Sequence, residues 1–151
     1  MKNLSFTAIL SAAALLSMAC TFDEVEQEGL KTLDGFQWES RILLIFSGET
    51  NGQTVAERFR NDEFQVADRD LIWFVFDKGK VISNFSDPID STFAQGMATQ
   101  YQKSADGSLE IVLIGKDGDV KYRSDELDTS EIYFEIIDVM PMRRSEMREN
   151  G

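Results

Sequence analysis

Histidine is absent from the chain, cysteine occurs once and proline twice. Each shortage removes a class of chemistry. Without histidine the commonest general base near neutral pH is missing, and so is the commonest transition-metal ligand. With Cys20 as the lone cysteine, no intramolecular disulfide forms and no dithiol redox centre is built. Basic residues are outnumbered too, 15 Lys plus Arg against 27 Asp plus Glu, for a formal net charge of -12. Such a surface repels phosphate backbones, which argues against nucleic acid as a partner. No cofactor and no metal is expected, and acid-base work is left to carboxylates, hydroxyls, lysines and tyrosines.

What is present describes one globular domain behind an export leader. A hydrophobic fraction of 42% in 151 residues supports a single packed core. Met1–Ala19 reads as a signal peptide: Lys2, an apolar run from Phe6 to Leu16, then the small residues Ser17 and Ala19. The run is shorter than the about 20 residues a membrane-spanning helix needs. Cys20 directly after Ala19 resembles the lipobox of bacterial lipoproteins, which implies a lipidated Cys20 and attachment to a membrane through that anchor. Thr21 rather than aspartate follows it, which favours the outer membrane, facing the periplasm; a soluble periplasmic protein is the alternative. Residues 20–32 read as the lipidated N-terminus and an acidic tether, 33–147 as the domain and 148–151 as a tail.

Arg41-Ile42-Leu43-Leu44-Ile45-Phe46 is the run around which the domain is organised. An uninterrupted apolar stretch with β-branched and aromatic members suits a central strand covered on both faces by helices. Phe36 and Trp38, just before it, are expected to cover one end of the core. After it, Thr50-x-x-Gln53 has capping-box spacing, and Val55, Phe59 and Val66 share a helical face, giving a helix from about Gly52 to Ala67. The competing reading is a hairpin at Asn51-Gly52; Ala56, Glu57 and Arg58 favour helix. Leu71–Phe76 is a second buried strand, with a turn at Asp77-Lys78-Gly79-Lys80 into Val81-Ile82-Ser83. Asp87-Pro88 looks like a cap and first turn of a helix carrying Phe93, Met97 and Tyr101 to about Gln102. Leu109–Ile114 and Val120–Arg123 form a hairpin about Lys116-Asp117-Gly118-Asp119. A last helix begins after Asp128, buries Ile132, Ile136 and Val139, and stops at Met140 before Pro141.

The order is β-α-β-α-β-β-α: an α/β domain with a central mixed sheet of four or five strands flanked by three helices, in a thioredoxin-like arrangement. Phe36-Gln37-Trp38-x-x-Arg41, Leu113-Ile114-Gly115-Lys116-Asp117-Gly118-x-x-Lys121 and Ile137-Asp138-x-Met140-Pro141-Met142-Arg143 together resemble a family of unknown function. It comprises short exported bacterial proteins and domains of animal extracellular proteins such as the sushi-repeat-containing protein. The resemblance implies a thioredoxin-like fold without redox cysteines, and carries no catalytic residues with it.

Each candidate site has a plainer reading. Ser47, in the Ser47-Gly48-Glu49-Thr50 loop where a thioredoxin-like enzyme carries its cysteine, has no neighbouring histidine to activate it, so a plain connection is preferred. Met140, Met142 and Met147 offer thioethers to Cu(I), but no histidine or cysteine completes a ligand set, and core packing is preferred. Asp117-Gly118-Asp119 lacks the spacing of a calcium loop and reads as a turn. Arg143-Arg144 reads as cations complementing a helix end rather than as an anion site.

Strand direction makes one more expectation. A third strand antiparallel to the central one carries Lys116 and Asp117 to the end where Arg41 begins, and the last helix returns to deliver Met140 to Arg144 there. Trp38, Arg41, Lys116, Asp117, Lys121, Asp138, Arg143 and Glu146 should therefore meet at one pole, with Arg41 near Asp117, Asp138 or Glu146. That pole is either a seam of ion pairs over Trp38 or a binding surface. The function expected is that of a non-catalytic envelope lipoprotein that binds a protein partner. The alternative is an atypical thioredoxin- or peroxiredoxin-like oxidoreductase accessory acting without thiols.

Overall fold

A computed structural model describes residues 29–104 and 106–149. Its centre is β1 (Arg41–Phe46), buried at every position. β2 (Leu71–Asp77) lies parallel on one side of β1, from Arg41 opposite Leu71 to Phe46 opposite Phe76. β4 (Glu110–Ile114) lies antiparallel on the other, with Ile42 opposite Ile114 and Phe46 opposite Glu110. β3 (Lys80–Ser83) and β5 (Val120–Ser124) complete the edges, so the five-stranded mixed sheet runs β3-β2-β1-β4-β5.

Alternation along the strands feeds two cores. Leu43 and Ile45, with Trp73, Val75, Ile111 and Leu113, meet the helices of one face: α1 (Gly52–Asn61), α2 (Glu63–Asp68) and α4 (Ser130–Asp138). Ile42, Leu44 and Phe46, with Phe74, Val112 and Ile114, meet Phe93 and Met97 of α3 (Phe93–Tyr101) on the other. Burial on both faces is why β1 carries an unbroken apolar run rather than an alternating one.

Several local expectations are corrected. The helix after β1 is capped by Asn51, whose side-chain oxygen accepts from the Thr54 N–H at 3.1 Å, not by Thr50. It is two helices rather than one, broken at Asp62, whose carboxylate turns to accept the Ser130 hydroxyl of α4. An aspartate that finds a side-chain donor outside the helix is a weak interior helix residue, and the break still lets Val66 reach the first core. Asp87-Pro88 starts no helix. The Pro88 carbonyl accepts from Leu30 N–H at 2.8 Å and Asp90 N–H donates to Leu30 at 3.0 Å, so this stretch is extended and α3 begins only at Phe93. Gly29 allows that approach: a Cβ there would stand 2.7 Å from the Asp90 nitrogen. Leu30, at the end of the expected tether, thus packs against the second core.

In α4 the buried face is Tyr133, Phe134 and Ile137, while Ile132 and Val139 are exposed and Ile136 is partly buried. Two aromatic rings remove more apolar area from water than the aliphatic stripe beside them, so they win the core side. α4 ends at Asp138, and Pro141 opens a fifth helix, α5 (Pro141–Glu149), where none was expected. Proline is tolerated in a first turn because its missing N–H has no partner there anyway. Among the described residues no helix is long and apolar enough to cross a membrane.

Candidate functional site

Arg41 is the first residue of a strand buried on both faces, and its side chain is 1% exposed. A guanidinium in that position needs partners that satisfy both its charge and its donors. Nη1 donates to the Arg69 carbonyl at 2.8 Å, and Nη2 donates to both carboxylate oxygens of Glu146 at 3.0 and 3.1 Å. Glu146 comes from α5, and Lys116, from the turn between β4 and β5, reaches it at 3.0 Å and Asp70 at 2.7 Å. Arg143, one turn before Glu146, pairs with Asp68 and, at 3.3 Å, with Asp138. Arg69 closes the group on Asp138 at 2.6 Å, with its guanidinium 4.8 Å over the Phe134 ring.

Arg41, Arg69, Lys116 and Arg143 therefore face Asp68, Asp70, Asp138 and Glu146, and the charges balance. Burial alone would raise the Glu146 carboxyl, but hydrogen bonds from Arg41 and Lys116 outweigh it and hold the group below its ordinary value. Burial likewise opposes the charge on Lys116 and on Arg143, and the carboxylates beside them overcome it and push both upward. Glu146 held in this way is a poor proton acceptor, and Lys116 and Arg143 are poor donors. The chemistry of the pole is that of a fastener: it ties α5, the end of α4 and the segment before β2 to the open end of the sheet.

The structure thus brings Arg41, Lys116, Asp138, Arg143 and Glu146 together. Asp117 and Lys121 lie alongside but pair with each other across the turn. That hydrogen bond, opposed by burial, holds the Asp117 carboxyl below its usual range. Of the three partners expected for Arg41, Glu146 is the one that takes it. Trp38 is corrected: it is 59% exposed and covers neither the ion pairs nor the core, whereas Phe36 packs against Phe74 and Phe85. The chain reverses at Trp38 with φ +69°, rare for a bulky residue, and its N–H donates to the Lys116 carbonyl at 2.6 Å. Asp68, Arg69 and Asp70 were missed by sequence reasoning. A triplet of alternating charge directly before a buried strand was the available signal.

At the opposite end, where β1 delivers its loop, the serine that follows the strand is buried. Ser47 is 1% exposed and its hydroxyl donates to the Phe76 carbonyl at 3.0 Å. Arg143 is buried and paired, and Arg144 is exposed; Met140 is partly buried, and Met142 and Met147 are exposed. Among the described residues no group of three or more Cys, Asp or Glu side chains is arranged to hold an ion. Cys20 lies outside the described residues.

No curated protein and no solved structure was found to match the chain. A model of the family described as domain of unknown function (DUF4174) matches residues 32–146, which span sheet and pole alike, and the chain belongs to that family.

Proposed function

We propose that this chain is a non-catalytic interaction module of the cell envelope: exported, anchored through lipid on Cys20, and built on a thioredoxin-like frame from which thiol chemistry is absent. Support for the frame is the order β2-β1-β4-β5, with β1 and β2 parallel and β4 antiparallel to both its neighbours, and helices on both faces. β3 is then an added edge hairpin.

The observation that carries the reading is the state of the β1 loop. Where such a frame performs chemistry, this chain places a buried serine hydroxyl committed to a backbone carbonyl. The carboxylates of the far pole are each held by a cation. Exposed apolar groups include Trp38 beside Lys116 and Met142 and Met147 on α5, as well as Phe64 on α2 and Ile132 on α4. Exposed aromatic and methionine side chains are common anchors of protein interfaces.

Crosslinking and affinity capture from envelope fractions with the full-length chain test the module, with a defined partner expected. Disulfide reduction or peroxide consumption that survives Cys20→Ala would overturn it in favour of the oxidoreductase accessory. Mass spectrometry of the mature N-terminus tests the anchor: acyl chains on Cys20 are expected, and an unacylated N-terminus refutes lipidation.

A further inference from the structure

Beside the ion-pair pole lies a cleft of about 250 Å³ between the Asp34–Phe36 turn, the end of α3 and the β4–β5 turn. That is below the roughly 300–1,000 Å³ of pockets that enclose a whole small molecule, and suits a single long side chain. Its floor is apolar, made by Ile42 and Ile114 of the sheet with Leu33 and Phe36. Its rim is of one sign: Asp34, Asp117 and Asp119 line it, and no lysine or arginine does. Lys121 holds Asp117 from outside the cleft and also reaches the 81% exposed Asp119, at the longer distance of 3.8 Å, whereas Asp34 accepts from the Thr32 hydroxyl at 3.0 Å. Gln37, Gln100 and Tyr101 add amide and phenol oxygens. Burial, and after it the charge of Asp34, pushes the Tyr101 hydroxyl up, opposed by the charge of Arg123 and the Gln100 amide.

We propose that this cleft receives an arginine side chain presented by a partner protein. The alkyl stem would lie on the apolar floor, as long basic side chains do on apolar surface. The guanidinium has the donors for carboxylate and amide oxygens and the flat face for Tyr101. An acidic chain attracts such a partner from a distance. This inference rests on the interaction-module reading and names the surface and the chemistry of what it binds.

The test is NMR titration of the isotope-labelled domain with acetyl-Gly-Arg-Gly-amide and with the same peptide carrying citrulline, the neutral near-isostere. The arginine peptide should shift the side-chain amides of Gln37 and Gln100 and the N–H groups of Gly115 and Gly118. It should bind at least about fivefold tighter than the citrulline peptide. Asp34→Asn with Asp119→Asn, both at exposed positions that leave the fold intact, should weaken it about three- to fivefold or more. Equal response to citrulline, no response at those four residues, or affinity unchanged in the double variant overturns the proposal. The same variant used as bait separates the two readings. A partner captured equally by native and variant chains removes the cleft and keeps the module, whereas capture by neither removes both.

Discussion

Replacing Glu146 by glutamine keeps the shape of the side chain and one acceptor oxygen while deleting the charge that Arg41 and Lys116 share. Arg41 cannot move to water, because its side chain is 1% exposed and belongs to the first residue of the central strand. Lys116 keeps Asp70 at 2.7 Å. Removing one partner of a buried pair costs about 3–5 kcal/mol, since the charge left behind is uncompensated. Glu146 is 23% exposed, and solvent reaching it reduces the loss to about 2–3 kcal/mol. For a domain of this size the melting temperature should fall by about 6–15 °C. Urea unfolding at pH 7, followed by tryptophan fluorescence, measures the free energy directly. Arg41→Met and Glu146→Leu, alone and together, should show a coupling of about 1–3 kcal/mol, with the double variant more stable than the sum of the singles predicts. A loss below about 0.5 kcal/mol for Glu146→Gln, or strict additivity, refutes the fastener.

The pH dependence has a fixed sign. The Glu146 carboxyl lies below its ordinary value of 4.5 when folded, so the unfolded chain takes up its proton first. The stabilisation it gives is full above about 4.5 and is lost as pH falls through the folded value. The gap between native protein and Glu146→Gln should therefore be wide at pH 7 and close under acid. A gap that stays constant to the acid transition would show that the charge does no work.

At the alkaline end, burial, opposed by the Asp128 N–H, moves the Tyr133 hydroxyl from 10.0 to about 12, so its contribution is present below about 10 and lost as pH rises through about 12. Phenolate absorbance near pH 12 should lose one tyrosine in Tyr133→Phe; an unchanged late step would be wrong for this assignment. Ser130→Ala removes the donor to Asp62 and should cost about 1–2 kcal/mol in urea unfolding. Gly52→Ala places a Cβ 2.6 Å from the Asp77 Cβ. It should destabilise by about 1–3 kcal/mol although alanine is the better helix former, and a stabilised variant would contradict the packing. Trp38→Gly relieves a left-handed backbone at an exposed residue, so stability should hold or rise by up to about 1 kcal/mol while partner capture falls; a large loss of stability would return Trp38 to the core.

The central strand was legible because burial on both faces leaves a signature that no surface strand has, and the Lys116–Asp119 turn because its glycine sits at φ +85°, a conformation other residues resist. Strand directions alone set Arg41 at one pole with Asp117, Asp138 and Glu146 as its possible partners, and did not choose Glu146 among them. What stayed hidden was decided by competition between neighbours. The break at Asp62 depends on Ser130, far away in sequence. The choice of Tyr133 and Phe134 over Ile132 depends on the room the sheet offers, which periodicity does not encode. Asp68, Arg69 and Asp70 read as a solvated helix end, and only the return of α5 turns them into partners.

Two neighbouring surfaces at one end of the sheet thus divide the work by how their polar groups are satisfied. In the ion-pair pole the carboxylates are spent on cations of the same chain, so the balanced group has little left with which to recognise another molecule. Its cost of desolvation is met internally, and its product is the position of α5 and of the β4–β5 turn. That turn is also a wall of the cleft, and Gln37 donates from the cleft side to the Asp117 carbonyl at 3.1 Å. A change that loosens Glu146 should therefore disturb the cleft through the turn that Lys116 anchors, without touching the residues that line its floor. The reverse should not hold: Asp34 and Asp119 face solvent and pair with no member of the buried pole, Asp119 meeting only Lys121 at 3.8 Å, and can be neutralised with the fold intact. Arginine-peptide affinity measured in Glu146→Gln under conditions where it remains folded should fall along with stability, whereas Asp34→Asn should lower affinity alone. Affinity that is insensitive to Glu146 would mean that the fastener and the cleft are independent, and that the pole serves only to hold the fold.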